Sequence, residues 1–278
     1  MSVMCDVLDV SRSGYYAWCS RPRSARQRSD ESLVSAIREI YRKNRKVYGS
    51  PRIHDVLKDQ GMHLGRKRVA RVMRQNGIVA EPYRRKKWRW AFKTAKSADN
   101  LVNRHFAVSL PNRIWAADVT SFWTGSGWVH LAIVMDLCSR RIVGWSMHGR
   151  LTDRLVTDAL EMAVIRRKPQ GSLIHHSDQG SPYQSHLFQG KLKDYGIQLS
   201  MSRRGNCWDN AVVESFFRTV KQELQNDARF KSREEARTQL FDYIEVFYNR
   251  QRKHSTLGYI SPAQYESNLP IPVSTKAG

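Results

Sequence analysis

With 278 residues, 47 Lys and Arg against 25 Asp and Glu, and a formal net charge of +22, the chain is long enough for two domains and suits a polyanionic partner, nucleic acid first. No window approaches the roughly 18 apolar residues of a membrane span and the N-terminus lacks a signal-peptide core, so a soluble protein that is not exported is expected. Cys5, Cys19, Cys138 and Cys207 are far apart, without a C-x-x-C pair or zinc-type His spacing, which fits free thiols in a reducing cytoplasm.

Charge is unevenly spread. Residues 1–110 hold 25 basic and 9 acidic side chains; residues 111–278 hold 22 and 16. The expected layout is a helical region at 1–80, a basic linker at 81–110, an α/β domain at 111–268 and a tail at 269–278.

Ser11 or Ser13 is placed to cap a short helix carrying Tyr16 and Trp18. So short an amphipathic piece has little to bury itself against, and the abrupt start predicts a partner helix upstream in a longer translation product. Leu33, Ile37, Ile40 and Tyr41 recur at helical spacing between Ser32 and Tyr41. A second helix follows Ser50-Pro51, with Ser50 as N-cap, runs through Ile53, Val56 and Leu57, and stops near Gly61. Gly65 opens a third, Arg66 to Arg74, closed by Gly77, with Val69, Val72 and Met73 on one face. The remaining surface of that helix carries Arg66, Lys67, Arg68, Arg71 and Arg74. This is a helix-turn-helix pattern with a cationic last helix, and the regional charge favours DNA contact over a merely solvated face. Arg84-Arg85-Lys86-Lys87-Trp88-Arg89-Trp90 then interleaves cations with indoles, suited either to phosphates and base stacking or to a flexible basic linker.

From Pro111 the pattern changes. Trp115–Trp123, a Gly125-Ser126-Gly127 turn, Trp128–Leu137 and Ile142–Met147 predict an antiparallel meander. A helix capped by Thr152 or Asp153, a strand Leu173–His176, a helix around Tyr183–Tyr195 and a strand Gln198–Met201 imply parallel additions to it. Asp209 or Asn210 caps a helix bearing Glu214. Ser232-Arg233-Glu234-Glu235 is a capping box opening a long helix with Ala236, Leu240, Ile244 and Phe247 inward. The stretch Tyr248–Gln264 reads as polar and basic.

Three acids stand out. Asp118 lies in an otherwise apolar strand, where a lone charge is costly unless paired or metal-bound. Asp178 ends another strand before Gln179-Gly180-Ser181-Pro182, and Glu214 follows after a gap of 35 residues on a helix whose Arg218 and Lys221 share its face. Two or three carboxylates are the hard oxygen donors that in-line displacement at phosphorus needs, with two divalent ions. Singly, each acid would be read as a surface or salt-bridged group; together, in a basic chain, they predict a metal site. Of His175 and His176, adjacent on a strand, at most one is near the chemistry, and packing or support of a ligand is the expected role. Asp136 could join the acids, but a turn carboxylate beside Arg140 and Arg141 is the safer reading.

These residues carry a resemblance. Tyr48-Gly49-Ser50-Pro51-Arg52-Ile53, Trp115-Ala116-Ala117-Asp118-Val119-Thr120, His176-Ser177-Asp178-Gln179-Gly180-Ser181-Pro182-Tyr183 and Asn206 through Phe217 resemble the larger reading frame product of IS-three-type insertion-sequence transposases. So do Lys221, seven residues after the glutamate, and the closing Tyr248-Asn249-Arg250 to Ser261-Pro262. These are relatives of retroviral integrases. The resemblance implies an α/β fold: an RNase H-like integrase catalytic core, a mixed five-stranded sheet with helices, preceded by a small all-helical helix-turn-helix domain. It implies that Asp118, Asp178 and Glu214 hold two Mg²⁺ (or Mn²⁺), and that water and then a 3′-OH attack in strand cleavage and strand transfer, with no covalent protein–DNA link. Arg203, Arg204, Arg218 and Lys221 are the DNA contacts expected near the acids. Partners would be element ends and target DNA, met by a homo-oligomer at the bacterial nucleoid, with an upstream segment joined by frameshifting. Ala117 stands where Thr is frequent in the family and touches no expected ligand. A metal nuclease of the same fold would use the same acids, and a DNA-binding repressor would explain only the front domain. A tyrosine recombinase built on Arg250, His254 and Tyr259 would leave the carboxylates unexplained.

Overall fold

The computed structural model describes residues 2–22, 24–80, 98, 100–102, 108–202, 210–224 and 230–270. The chain divides into two compact units, Met1–Glu81 and Pro82–Gly278. The basic run Arg84–Trp90, Cys207 and the tail 271–278 lie outside the described residues.

The first unit is all helical. Helix α1 (Ser2–Val7) precedes α2 (Arg12–Cys19), whose N-cap is Ser11, accepting from the Gly14 N–H at 3.0 Å. Helix α3 (Ala25–Lys43) opens with a reciprocal capping box between Ser24 and Gln27 and is longer than the apolar periodicity of Ser32–Tyr41 shows. Its first turns are polar, so only the cap announces them. Helix α4 (Ser50–Asp59) corrects one expectation: Gly49 is the N-cap, and Ser50 is already the first helical residue with Pro51 beside it. Helix α5 (Arg66–Gln75) follows. Leu33, Ile37 and Ile40 of α3, Ile53 and Leu57 of α4, and Val69, Val72 and Met73 of α5 are buried together, and the three helices pack on one another. Beyond α5 the chain turns at Gly77 with φ +64°, a left-handed conformation that a side chain would strain.

The second unit is built on one five-stranded sheet. Strands β1 (Ile114–Thr124), β2 (Gly127–Asp136) and β3 (Ile142–His148) form the antiparallel meander. Helix α6 (Asp153–Arg167) then leads to β4 (Leu173–Ser177), helix α7 (His186–Asp194) and β5 (Ile197–Met201). Both later strands add in parallel, giving the order β3-β2-β1-β4-β5. The helix expected around Tyr183–Tyr195 is divided: a 3-10 turn at Ser181–Gln184 precedes α7, because Ser185 is extended and caps α7 through the Phe188 N–H at 3.2 Å.

β2 is buried on every side chain from Leu131 to Asp136, as expected of a central strand covered on both faces. One face meets α6 and α7 through Trp115, Ala117, Ala132, Val134, Leu160, Phe188 and Leu192. There α6 runs so close that a Cβ at Gly144 would lie 2.1 Å from the Ala159 carbonyl oxygen, so glycine is required by space alone. On other parts of the sheet, α8 (Ala211–Leu224) packs against β1, and α9 (Arg233–Phe241) against β1 and β2. Ser232 caps α9, but Glu235 reaches back to the Lys231 N–H rather than that of Ser232, so the box is displaced by one residue. The expected long helix continues past Phe241 as a π-helical stretch, Asp242–Tyr248, which turns Tyr243, Ile244, Phe247 and Tyr248 all inward.

What the sequence presents as a polar stretch after Tyr248 is folded. The Asn249 amide pairs with both the N–H (2.9 Å) and the carbonyl (3.0 Å) of Ile142 in β3. After a 3-10 turn at Ser255–Leu257, α10 (Pro262–Ser267) brings Glu266 to Ser139 (2.8 Å), Arg141 (2.6 Å) and Arg167 (2.9 Å).

Candidate active site

Asp118 sits mid-strand in β1, opposite Ile133 of β2, with Thr120 and Phe122 following on the same face. Its Oδ1 accepts from the Val119 N–H at 2.7 Å. The residue is half-buried. Burial holds its pKa well above the ordinary carboxylate range; the charge of Asp178 adds to this, and that of Glu214 adds less, while the Val119 hydrogen bond and Lys221 oppose it. Asp178 directly follows β4. Its Oδ1 accepts from the Gly180 N–H at 2.9 Å, and burial raises its pKa against that bond. Glu214 lies in the first turn of α8, raised by burial and by Asp178, with Arg218 opposing. Burial thus raises all three carboxylates, and the charge of Asp178 reaches both Asp118 on β1 and Glu214 on α8.

The helix that carries Glu214 is held by its apolar side. Val213, Phe216, Phe217 and Val220 are buried, each worth about 1.5–3 kcal/mol, against a few tenths for a surface Glu–Arg pair. Its start is tied to β1, where Asn210 Nδ2 donates to the Ala117 carbonyl at 3.2 Å, one residue before Asp118. Lys221 lies over the Phe122 ring, 5.6 Å from its centroid; burial lowers its pKa and Asp118 opposes the loss. Arg218 is exposed on the same helix.

Sequence reasoning left Tyr183 and Asn210 out of the site. Tyr183 is buried five residues after Asp178, and its phenol pKa is pushed well above its usual value by burial and then by Asp118 and Asp178. The signal was its place in the Asp178-Gln179-Gly180-Ser181-Pro182-Tyr183 run. Asn210 was weighed only as a helix cap.

His175 and His176 are both fully buried. His176 Nδ1 lies 2.9 Å from Ser200 Oγ on β5, and His175 packs against Phe188 with ring centroids 5.2 Å apart. Asp136 is the turn carboxylate the sequence favoured: it accepts from the N–H groups of Asn112 (2.7 Å) and Cys138 (2.9 Å), and lies 3.5 Å from Arg167. His254 of the recombinase reading stacks edge-on against Tyr248 at 5.0 Å, a packing role. In the first unit Arg66, Lys67 and Arg74 are exposed on α5. Arg68 and Arg71 instead bind Asp30 of α3 at 2.8 and 2.7 Å. Arg203, Arg204 and Asp209 lie outside the described residues.

The donor chemistry suits a hard divalent cation: carboxylate oxygens only, with mutual repulsion that a cation would relieve. Among the described residues, no group of three or more His, Cys, Asp and Glu side chains is placed so that it could hold an ion as it stands. One oxygen of each aspartate is turned to a backbone N–H.

An HTH-like domain model matches residues 27–87, and two integrase core domain models match residues 109–207 and 195–262. Transposase InsF for insertion sequence IS3A of Escherichia coli (strain K12) is 41% identical over 270 residues, covering 96% of this chain and 94% of that protein. The chain belongs to the IS3 family of transposases. The insertion element IS600 uncharacterized 31 kDa protein of Shigella sonnei is likewise 41% identical over 265 residues, 94% of this chain and 97% of that one. The transposase thus has an α/β integrase core behind a helical HTH-like domain, and its class of activity is polynucleotidyl transfer. Among solved structures, a chain of the simian T-cell lymphotropic virus intasome in complex with PP2A regulatory subunit B56 gamma aligns with TM-score 0.49 at 16% identity, covering 78% of this chain and 77% of that chain. The HTLV-2 integrase catalytic core domain in complex with magnesium (trimeric form) aligns at 0.43 and 19%, covering 56% and 97%. No helix among the described residues is long and apolar enough to cross a membrane.

Proposed function

We propose that Asp118, Asp178 and Glu214 are the catalytic acids of strand cleavage and strand transfer, and that they hold two Mg²⁺ or Mn²⁺ ions. The observation that carries this is that burial raises all three carboxylates, that Asp178 further raises both Asp118 and Glu214, and that none of the three makes a close ion pair among the described residues. Bound there, the divalent ions would supply positive charge to the attacking and leaving oxygens of an in-line displacement.

The protein's own residues hold and orient. The Val119 and Gly180 N–H groups fix one oxygen of each aspartate, which limits rotation of both carboxylates. Glu214 approaches on a helix whose start Asn210 ties to the strand of Asp118. Lys221, with Asp118 supporting its charge, is suited to neutralise a phosphate beside the acids, and exposed Arg218 to meet the backbone further out. Arg203 and Arg204 are proposed for the same duty. The attacking group is water in cleavage and a 3′-OH in joining, with no covalent protein–DNA intermediate.

In the first unit Arg66, Lys67 and Arg74 are the proposed phosphate contacts of α5. Working partners are element ends and target DNA, engaged as a homo-oligomer in the bacterial cytoplasm at the nucleoid, with an upstream fused segment. Residues 1–80 are proposed as the DNA-binding domain, 81–110 as the linker, 111–268 as the catalytic domain and 269–278 as a tail.

The deciding assay uses labelled donor ends and Mg²⁺. Asp178→Asn is expected to abolish joined products while leaving DNA binding in a mobility-shift assay intact. Unchanged joining by this variant rejects the acid assignment, and cleavage without joining by the wild type makes the protein a nuclease.

A further inference from the structure

Buried polar atoms in folded proteins nearly always have a hydrogen-bond partner. Tyr183 is 2% exposed and its hydroxyl has no partner among the described residues; His175 is 0% exposed and neither of its ring nitrogens has one. The two rings are neighbours, with centroids 6.1 Å apart, and Phe188 meets both edge-on at 5.2 and 5.3 Å. Around them the core is apolar, with Phe188 and Leu192 in the same cluster. A phenylalanine at 183 would fill such a place without a stranded hydroxyl, so packing alone does not account for tyrosine.

The acid site does account for it. Tyr183 lies in the field of both Asp118 and Asp178. It is also tied to Asp178 through a short run of backbone: the Gly180 N–H donates to Asp178 Oδ1 at 2.9 Å, and the Tyr183 N–H donates to the Gly180 carbonyl at 3.0 Å. Carboxylates only accept hydrogen bonds, and a phenol can donate. Neutral imidazole both accepts and donates, and burial keeps His175 neutral by pushing its pKa down to about 3. An internal water needs two to four polar partners, and the phenol, the imidazole and the carboxylates are groups of the kinds that can provide them.

We infer that Tyr183 is a positioning residue of the acid site: its hydroxyl, with His175 behind it and an internal water between, holds the Asp118 and Asp178 carboxylates from the core side in their ion-binding orientation. This rests on the assignment of the acids made above. Loss of such a supporting hydrogen bond around metal ligands typically costs about 10–100-fold in metal affinity.

The test measures Mn²⁺ binding to the full chain without DNA, by electron paramagnetic resonance, for the wild type, Tyr183→Phe and Asp118→Asn. Melting of each in EDTA is measured alongside. Tyr183→Phe is expected to weaken Mn²⁺ binding about 10–100-fold, with melting in EDTA equal to or above that of the wild type. In strand transfer, its half-saturating Mg²⁺ concentration rises while DNA affinity stays the same. Wild-type Mn²⁺ affinity in Tyr183→Phe, with binding lost in Asp118→Asn, overturns the role of Tyr183 and leaves the acid assignment standing. Undiminished binding in Asp118→Asn overturns both. Weakened binding accompanied by a matching drop in melting temperature in EDTA assigns Tyr183 to packing and also overturns the inference.

Discussion

Asp118 is surrounded by influences that penalise its charge, with burial first and Asp178 next. A carboxylate whose folded pKa is raised contributes stability below its unfolded value, and that contribution is lost as pH rises through the folded value. In the metal-free protein at neutral pH, Asp118 is therefore a cost to folding that a cation would offset. Asp118→Asn should melt a few degrees above the wild type at pH 7 in EDTA, by differential scanning calorimetry. The gap should close as the buffer approaches the ordinary aspartate pKa of about 3.9. Equal melting at pH 7 would mean that the acid carries no such cost. Asp118 was legible in the sequence because a charge in an apolar strand needs an explanation. Tyr183 stood in the same run as Asp178, but only the fold shows that its ring is buried and its hydroxyl without a partner among the described residues.

Among the elements, α8 depends on a clamp at its far end. Arg252 binds Glu223 through Nε (3.0 Å) and a second nitrogen (2.7 Å), and the Tyr243 hydroxyl donates to the same carboxylate at 2.7 Å; both charged side chains are almost fully buried. Removing one partner of a buried pair strands the other, at about 3–5 kcal/mol. Glu223→Ala should lose about that much in urea denaturation, and a loss typical of surface pairs would show that water reaches Arg252. On α5 the cations divide by task. Arg71→Ala should lower the melting temperature by releasing Asp30. Lys67→Ala and Arg74→Ala should leave melting unchanged and each reduce the log–log salt dependence of DNA binding by about 0.9. A shallower slope in Arg71→Ala alone would reverse that division. Periodicity revealed the apolar face of α5, but it could not show which cations an acid 38 and 41 residues upstream had taken.

At the scale of the whole molecule, the strand–helix alternation after Pro111 was readable because each strand is an apolar run bounded by turn residues. The mixed sheet followed from it, while the order in which its strands lie, β3-β2-β1-β4-β5, is set by contacts between distant segments that alternation does not specify. The stretch Tyr248–Gln264 read as merely polar and basic for a physical reason: it contributes Asn249, Arg252 and Ser261 to buried positions, and hydropathy cannot distinguish a buried, paired Arg252 from a solvated one. Glu266 has a consequence for the gene. It supplies the carboxylate for Arg141 and Arg167 near the end of β2, where Asp136 is also buried. A stop codon after Glu214 and before position 267 removes that carboxylate while leaving every proposed catalytic acid encoded. A protein ending at Ile260 should be recovered mainly as insoluble material, measured as the soluble fraction on expression, and full solubility would show the closing segment to be dispensable.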